Sequence, residues 1–226
     1  MAVTGFLLPV SLQAQAEKDQ YARIAILRPF DGKTVDFEAG YARHLDWHKK
    51  AGDRWVWYGW SIWASDRQRW FVYATFGHTA ASLDSSVAPA EDEKDNIINV
   101  VPHCEFKENA LYKYLPDVSI GNGVPKPTAR VEMVTVNLLT GAAAEFEAAL
   151  NKHKATLTRE TLWFRLVSGA AVPRYVCLRT YPSLSALLNG SSEQLIPEKV
   201  NRIIVKQTVE ILALRPTMSY GLPANQ

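Results

Sequence analysis

The stretch DFEAGYARHLDWHKKAGDRWVWYGWSIWASDRQRWFVYATFGH, residues 36–78, decides how the rest of the chain is read. It holds six of the seven tryptophans (Trp47, Trp55, Trp57, Trp60, Trp63 and Trp70) and three of the five histidines (His44, His48 and His78). Phe37, Tyr41, His44, His48 and Ala51 recur at helical spacing, Thr34 is the expected N-cap, and Gly52 stops the run. The segment 54–64 then alternates as a strand does, but it is apolar on both faces. Trp55, Trp57 and Trp63 occupy one face; Val56, Tyr58, Trp60 and Ile62 occupy the other. A half-solvated sheet would alternate apolar with polar. One face of this hairpin is therefore expected to meet helices and the other a second sheet.

Outward from this stretch, the chain repeats itself. Ala22-Arg23-Ile24 opens one apolar run and Ala129-Arg130-Val131 another. Asp36-Phe37-Glu38-Ala39 precedes His44 by the same step with which Glu145-Phe146-Glu147-Ala148 precedes His153. Trp57-Tyr58 is matched with Trp163-Phe164, and Trp70-Phe71-Val72 with Arg174-Tyr175-Val176. Leu115-Pro116-Asp117-Val118-Ser119-Ile120-Gly121 and Arg215-Pro216-Thr217-Met218-Ser219-Tyr220-Gly221 close the halves alike. Landmarks in unchanged order signal an internal duplication.

Each half reads β-α-β-β-α-β. In the first, strands are expected over 21–29, 54–64, 69–77 and 110–115, with helices from Thr34 to Ala51 and over 91–107, the latter interrupted at Pro102. In the second, strands are expected over 129–138, 161–168, 174–181 and 209–214, with helices over 141–157 and 193–207. This is the split βαβ, or ferredoxin-like, unit. The expected organisation is a first unit over 19–121, a Gly/Pro linker over 122–127 and a second unit over 128–226. Residues 1–18 carry a short apolar run and Ala14-Gln15-Ala16, the look of a secretory signal without its positive n-region. They suggest an exported or periplasmic protein, with a cytoplasmic one as the alternative.

Two tandem units with aromatic hairpins resemble the dimeric α+β barrel superfamily fused into one chain. The closing motifs Tyr114-Leu115-Pro116-Asp117-Val118-Ser119 and Leu214-Arg215-Pro216-Thr217-Met218-Ser219 are similar to those of NIPSNAP-like proteins. The resemblance implies an α+β fold in which two antiparallel sheets face each other as a barrel, with helices outside and ligands between sheet and helices. It covers cofactor-free monooxygenases, polyketide cyclases and haem-dependent chlorite dismutases. The His-Pro-x-His signature of one branch is absent: the corresponding region reads Ser86-Val87-Ala88-Pro89-Ala90-Glu91.

Composition narrows the function classes. The formal net charge is +2, with 21% charged residues and acids and bases interspersed, so nucleic-acid binding is not expected. No apolar run is long enough to span a membrane as a helix. The two cysteines, Cys104 and Cys177, form neither a zinc motif nor a disulfide framework.

His44 and His48 are the first candidates for chemistry. Four residues apart on a helix, they share a face and could act as an acid–base pair on one ligand. His-Leu-Asp-Trp-His lacks the glutamate of a zincin helix, and no third metal ligand is evident. Tyr41, Trp57, Trp60, Trp70, Tyr73 and His78 are expected to line a pocket for a small apolar or aromatic molecule. Asp46 and Asp53 read as surface charges. No cofactor is expected. Two other readings stay open: a haem or metal protein using His48, and a non-catalytic interaction module that forms a homo-oligomer.

Overall fold

The structure is a computed structural model, and it describes residues 19–171, 173–190 and 193–223. The expected leader at residues 1–18 lies outside the described residues. Eight strands run β1 (Tyr21–Pro29), β2 (Tyr58–Ala64), β3 (Phe71–His78), β4 (Cys104–Tyr114), β5 (Arg130–Leu138), β6 (Leu162–Ser168), β7 (Arg174–Tyr181) and β8 (Ile204–Leu214). They close into one antiparallel barrel of order β1-β3-β2-β8-β5-β7-β6-β4. The first four strands and the last four each have the ferredoxin-like order, and the barrel closes where β2 pairs with β8 and β4 with β6. The α+β barrel implied by the superfamily resemblance is what forms.

The two-faced hairpins explain the closure. Tyr58, Trp60 and Ile62 of β2 point inward with Ile24, Ile26, Val72, Phe76, Tyr112, Met133, Phe164 and Leu178 to fill the barrel. A partly buried aromatic outer face remains for the helices. Each fully buried aromatic removes roughly 150–250 Å² from water, several kcal/mol at about 25 cal/mol per Å² before ordering entropy is charged. Outside the barrel lie α1 (Thr34–Ala51), the one-turn α2 (Ala80–Leu83), α3 (Pro89–Asn99), α4 (Ala143–His153) and α5 (Leu184–Gly190). Among the described residues no helix is long and apolar enough to cross a membrane.

The repeated closing motifs join the halves by crossing between them. After β4, a 3-10 turn at Pro116–Val118 delivers Ser119, whose hydroxyl accepts the backbone N–H of Trp163 in β6 at 2.8 Å. After β8, the matching turn at Pro216–Met218 delivers Ser219 to the N–H of Gly59 in β2 at 2.9 Å. Backbone bridges Ile120–Thr161 and Trp57–Tyr220 extend the two crossings. Gly59 and Trp163 are thus equivalent, which moves the expected match of Trp57-Tyr58 with Trp163-Phe164 by two residues. Gly59 is required by its contact: a Cβ there would lie 2.0 Å from the carbonyl oxygen of Met218.

Several expected elements differ. The helix expected over 91–107 ends at Asn99. A 3-10 turn at Val101–His103 follows, and β4 starts at Cys104. Pro102 cannot continue a helix, and the chain from Cys104 pairs with β1 instead. The helix expected over 193–207 is a 3-10 turn at Glu198–Ile203 followed by β8, because Ile204-Val205-Lys206-Gln207-Thr208-Val209 zips against β5. Helix α5, starting after Ser183 whose hydroxyl caps the N–H of Ala186, was not anticipated. Thr34 is the first residue of α1 rather than its cap, and α4 ends at His153 in a 3-10 turn.

Ser119 is buried, and removing its hydroxyl leaves the N–H of fully buried Trp163 without a partner. Ser119→Ala is therefore expected to cost about 1–3 kcal/mol, read from urea unfolding midpoints. Gly59→Ala should cost more, since the obstructing atom is backbone and cannot swing aside.

Candidate functional site

The outer face of β1, β3 and β4 and the helices α1 and α3 enclose a half-open cavity of about 450 Å³ in the first half of the chain. Ala25, Leu27, Tyr41, Tyr73, Ile97 and Phe106 give it apolar walls; Arg23, His44, His48, Trp57, Asp92, Asn96 and Asn109 add polar groups. The site exists because α3 crosses α1 closely. Gly40 permits that crossing, since a Cβ there would lie 1.9 Å from the carbonyl oxygen of Asn99. The Arg43 Nε–H donates to Asn99 Oδ1 at 2.8 Å and ties the two helices.

His44 and His48 stand one turn apart on the buried face of α1, their rings 4.7 Å between centroids. Each Nδ1 faces a carboxylate: His44 meets Asp95 of α3 at 2.9 Å, and His48 meets Asp53 at 2.8 Å. The second contact has ion-pair length but not the alignment of a good hydrogen bond. Each Nε2 faces Oδ1 of Asp92, at 3.4 Å from His44 and 3.5 Å from His48. That oxygen is buried and has no hydrogen-bond partner.

Local structure fixes these groups. Asp53 directly follows Gly52, which caps α1. Its carboxylate accepts the N–H of Trp55 at 3.0 Å and the indole N–H of Trp57 at 2.9 Å. Burial pushes the Asp53 carboxyl up, but the close His48 imidazole and the hydrogen bonds from Trp55 and Trp57 outweigh it and hold the pKa below the usual range. The Tyr220 hydroxyl, delivered by the second half's closing motif, donates to the Asp53 carbonyl at 2.9 Å. Burial lowers the pKa of His44 despite the Asp95 contact that opposes it, which favours the neutral imidazole. Tyr41 and Tyr73 stack at 3.8 Å, and burial raises both phenols well above their ordinary value. The Tyr73 hydroxyl is buried and unpartnered.

Of the eight residues singled out from sequence, Tyr41, His44, His48, Trp57 and Tyr73 come together. Three are elsewhere. Trp60 points into the barrel, stacked on Tyr58, because strand alternation sets it opposite Trp57's side. Trp70 caps one end of the barrel core beneath the Arg67 guanidinium. His78 sits beside Trp55 in a neighbouring depression, bonded to Thr75 and Ser82.

Asp53 is not a surface charge: it is buried as the carboxylate facing His48. Asp92 and Asp95 had no signal beyond an acidic run at 91–95, which reads as a solvated helix face until α3 is docked. His153, the counterpart of His44, bonds the backbone carbonyl of Gln194 and faces no carboxylate pair. Cys104 and Cys177 are free and buried, in the first and second halves' outer clusters respectively, and burial raises the Cys104 thiol to about 12.

A scan of protein-family models finds no match, and no curated protein matches. Solved structures do match. A protein from Fusobacterium nucleatum provisionally named a monooxygenase is 11% identical, with TM-score 0.60, over 86% of this chain and 92% of that one. An anthrone oxidase-like protein is 11% identical, with TM-score 0.57, over 93% and 98%. A variant of the chlorite dismutase from Candidatus Nitrospira defluvii is 10% identical, with TM-score 0.57, over 88% and 92%. This chain has the α+β barrel fold of these proteins.

The haem implied by one branch of the sequence resemblance does not suit the residues present. Both Nε2 atoms converge on one carboxylate oxygen, which leaves no gap for a macrocycle on either imidazole. In the second half, Val134, Phe146, Leu150, Trp163 and Tyr175 pack the layer between sheet and helix.

Burial, with a smaller contribution from Arg23, depresses His78 to about 4 in the fold. The unfolded chain then binds the extra proton between about pH 6.5 and pH 4. The sign follows: His78 favours folding above about pH 6.5, and that contribution is lost as pH falls towards about 4. Urea unfolding at pH 7 and pH 5 should show stability falling with pH, and His78→Gln should flatten that dependence.

Proposed function

We propose that the first half of the barrel binds a small apolar or aromatic molecule in the cavity between β1, β3, β4 and the helices α1 and α3. The observation that carries the reading is the division of the cavity. Its flank is built from Ala25, Leu27, stacked Tyr41 and Tyr73, and Phe106, and one end holds two imidazoles and a carboxylate. A mostly apolar chamber with a few convergent polar groups is the usual form of a small-molecule site. The ligand's apolar body lies along Tyr73 and Leu27, and its polar substituent reaches His44, His48 and Asp92. A neutral imidazole at that end can take a proton from an acidic hydroxyl or activated carbon.

Oxygenase-type turnover is the reaction class we assign to this arrangement. The names of the matched structures, a monooxygenase and an anthrone oxidase-like protein, agree with it as analogy of fold. The NIPSNAP-like kinship of the closing motifs is likewise proposed on the paired Pro-x-x-Ser turns alone.

Titration with small aromatics such as naphthols, followed by calorimetry, is expected to show saturable micromolar binding. Ala25→Phe, which fills the chamber, should weaken it at least about 10-fold while the thermal midpoint is kept. Absence of binding across the panel, or binding indifferent to Ala25→Phe, would refute the reading.

A further inference from the structure

We propose that His44 Nε2, His48 Nε2 and Asp92 Oδ1 form a binding site for one divalent first-row transition-metal ion. It rests on the same cavity as the ligand reading but not on the organic ligand. Three observations carry it.

The first is distance. The oxygen lies 3.4 and 3.5 Å from the two nitrogens, and all three atoms lie within 4.8 Å of one another. These gaps are too long for good hydrogen bonds. They are close to the edge of a tetrahedron whose metal–ligand bonds are about 2.0–2.1 Å, an edge of roughly 3.3–3.4 Å.

The second is orientation. Both Nδ1 atoms lie against carboxylates, Asp95 and Asp53, an arrangement that favours the proton on Nδ1 and leaves each Nε2, 3.4 and 3.5 Å from Asp92 Oδ1, as the nitrogen able to bind a cation. Carboxylate–histidine–metal relays use this outer shell to fix tautomer and ring direction. Asp53 is itself held by Trp55 and Trp57.

The third is the orphaned atom. Asp92 Oδ1 is buried without a hydrogen-bond partner, although the rest of the side chain reaches solvent. A buried carboxylate oxygen between two imidazole nitrogens is costly unless a cation or proton joins them.

Two neutral nitrogens and one carboxylate, with remaining positions open to the cavity, suit Fe²⁺, Zn²⁺, Co²⁺ or Mn²⁺ rather than Ca²⁺ or Mg²⁺, which prefer oxygen cages. The Asn96 side-chain amide, 3.5 Å from His44 Nε2, borders the open side. The ion would also staple α3 to α1. Helix α3 buries none of its own residues and docks through polar contacts such as Asp95–His44 and Arg43–Asn99.

The test uses the full chain stripped with a chelator, then titrated with Co²⁺ by absorption and with Zn²⁺ by calorimetry. One ion per chain is expected, with visible cobalt bands of low coordination number. His48→Ala and Asp92→Asn should each weaken binding at least about 100-fold, and Asp53→Asn about 10–100-fold. Asp46→Asn, an exposed acid on the same helix, should change nothing. Zinc should slow amide exchange across Pro89–Asn99.

Lack of saturable binding, or binding unchanged by Asp92→Asn, would overturn the proposal and leave a proton-linked histidine–carboxylate network. Should His48→Ala misfold, Asp92→Asn still decides, because it lies on a helix that contributes nothing to the core. Naphthol binding measured on the metal-free protein keeps the two readings apart. If naphthol binds and the metals do not, only the metal site fails; the reverse result removes only the aromatic ligand.

Discussion

Barrel closure is the constraint on which everything else rests. Each half presents a four-stranded sheet with two raw edges, and a half of this size cannot cover both faces of its own sheet. Pairing β2 with β8 and β4 with β6 removes all four edges at once. It also buries the inward aromatics, Tyr58, Trp60, Phe76, Tyr112 and Phe164, in one shared core. The two serine crossings sit beside these seams and satisfy backbone groups there, so each half's closing turn completes the other half's hairpin.

The two halves share one strand order, but the site is asymmetric. In the first half the connection after β3 contains α3, which brings Asp92 and Asp95 over α1. In the second half the matching connection contains α5 and a 3-10 turn, and α4 is shorter than α1 by seven residues (18 against 11). The His44 counterpart therefore meets a backbone carbonyl instead of carboxylates. Leu157, four residues after His153 as His48 is after His44, lies past the end of α4 in extended backbone, and Phe146, Trp163 and Tyr175 pack the space. One half is packed solid and the other holds a chamber.

The chamber also depends on the seam. Tyr220 reaches from the far end of the chain to the Asp53 carbonyl, and Trp57, which bridges Tyr220, donates to the Asp53 carboxylate. The carboxylate behind His48 is thus positioned by residues from both halves. A change at the closing motif of the second half reaches the imidazoles of the first through three contacts. This couples the architecture to the electrostatics of the site.

Local pattern determined a good deal. Period-two alternation with apolar residues on both faces required a sheet covered twice, and the repeat supplied two such sheets; that they close into a barrel was what the resemblance to the α+β barrel superfamily implied. The i, i+4 spacing set His44 and His48 on one face, and Tyr41 joined them by the same rule. Strand parity could have separated Trp60 from Trp57, since neighbours three apart on a strand point to opposite faces. Tertiary structure alone decided the rest. Asp53 was unreadable because its surroundings include Tyr220, 167 residues away. Asp92 and Asp95 lie in an acidic run indistinguishable from a solvated face, and only the close α1–α3 crossing at Gly40 turns that face inward. Short-range periodicity reports which side of an element a residue takes; it carries no information about which other element will arrive there.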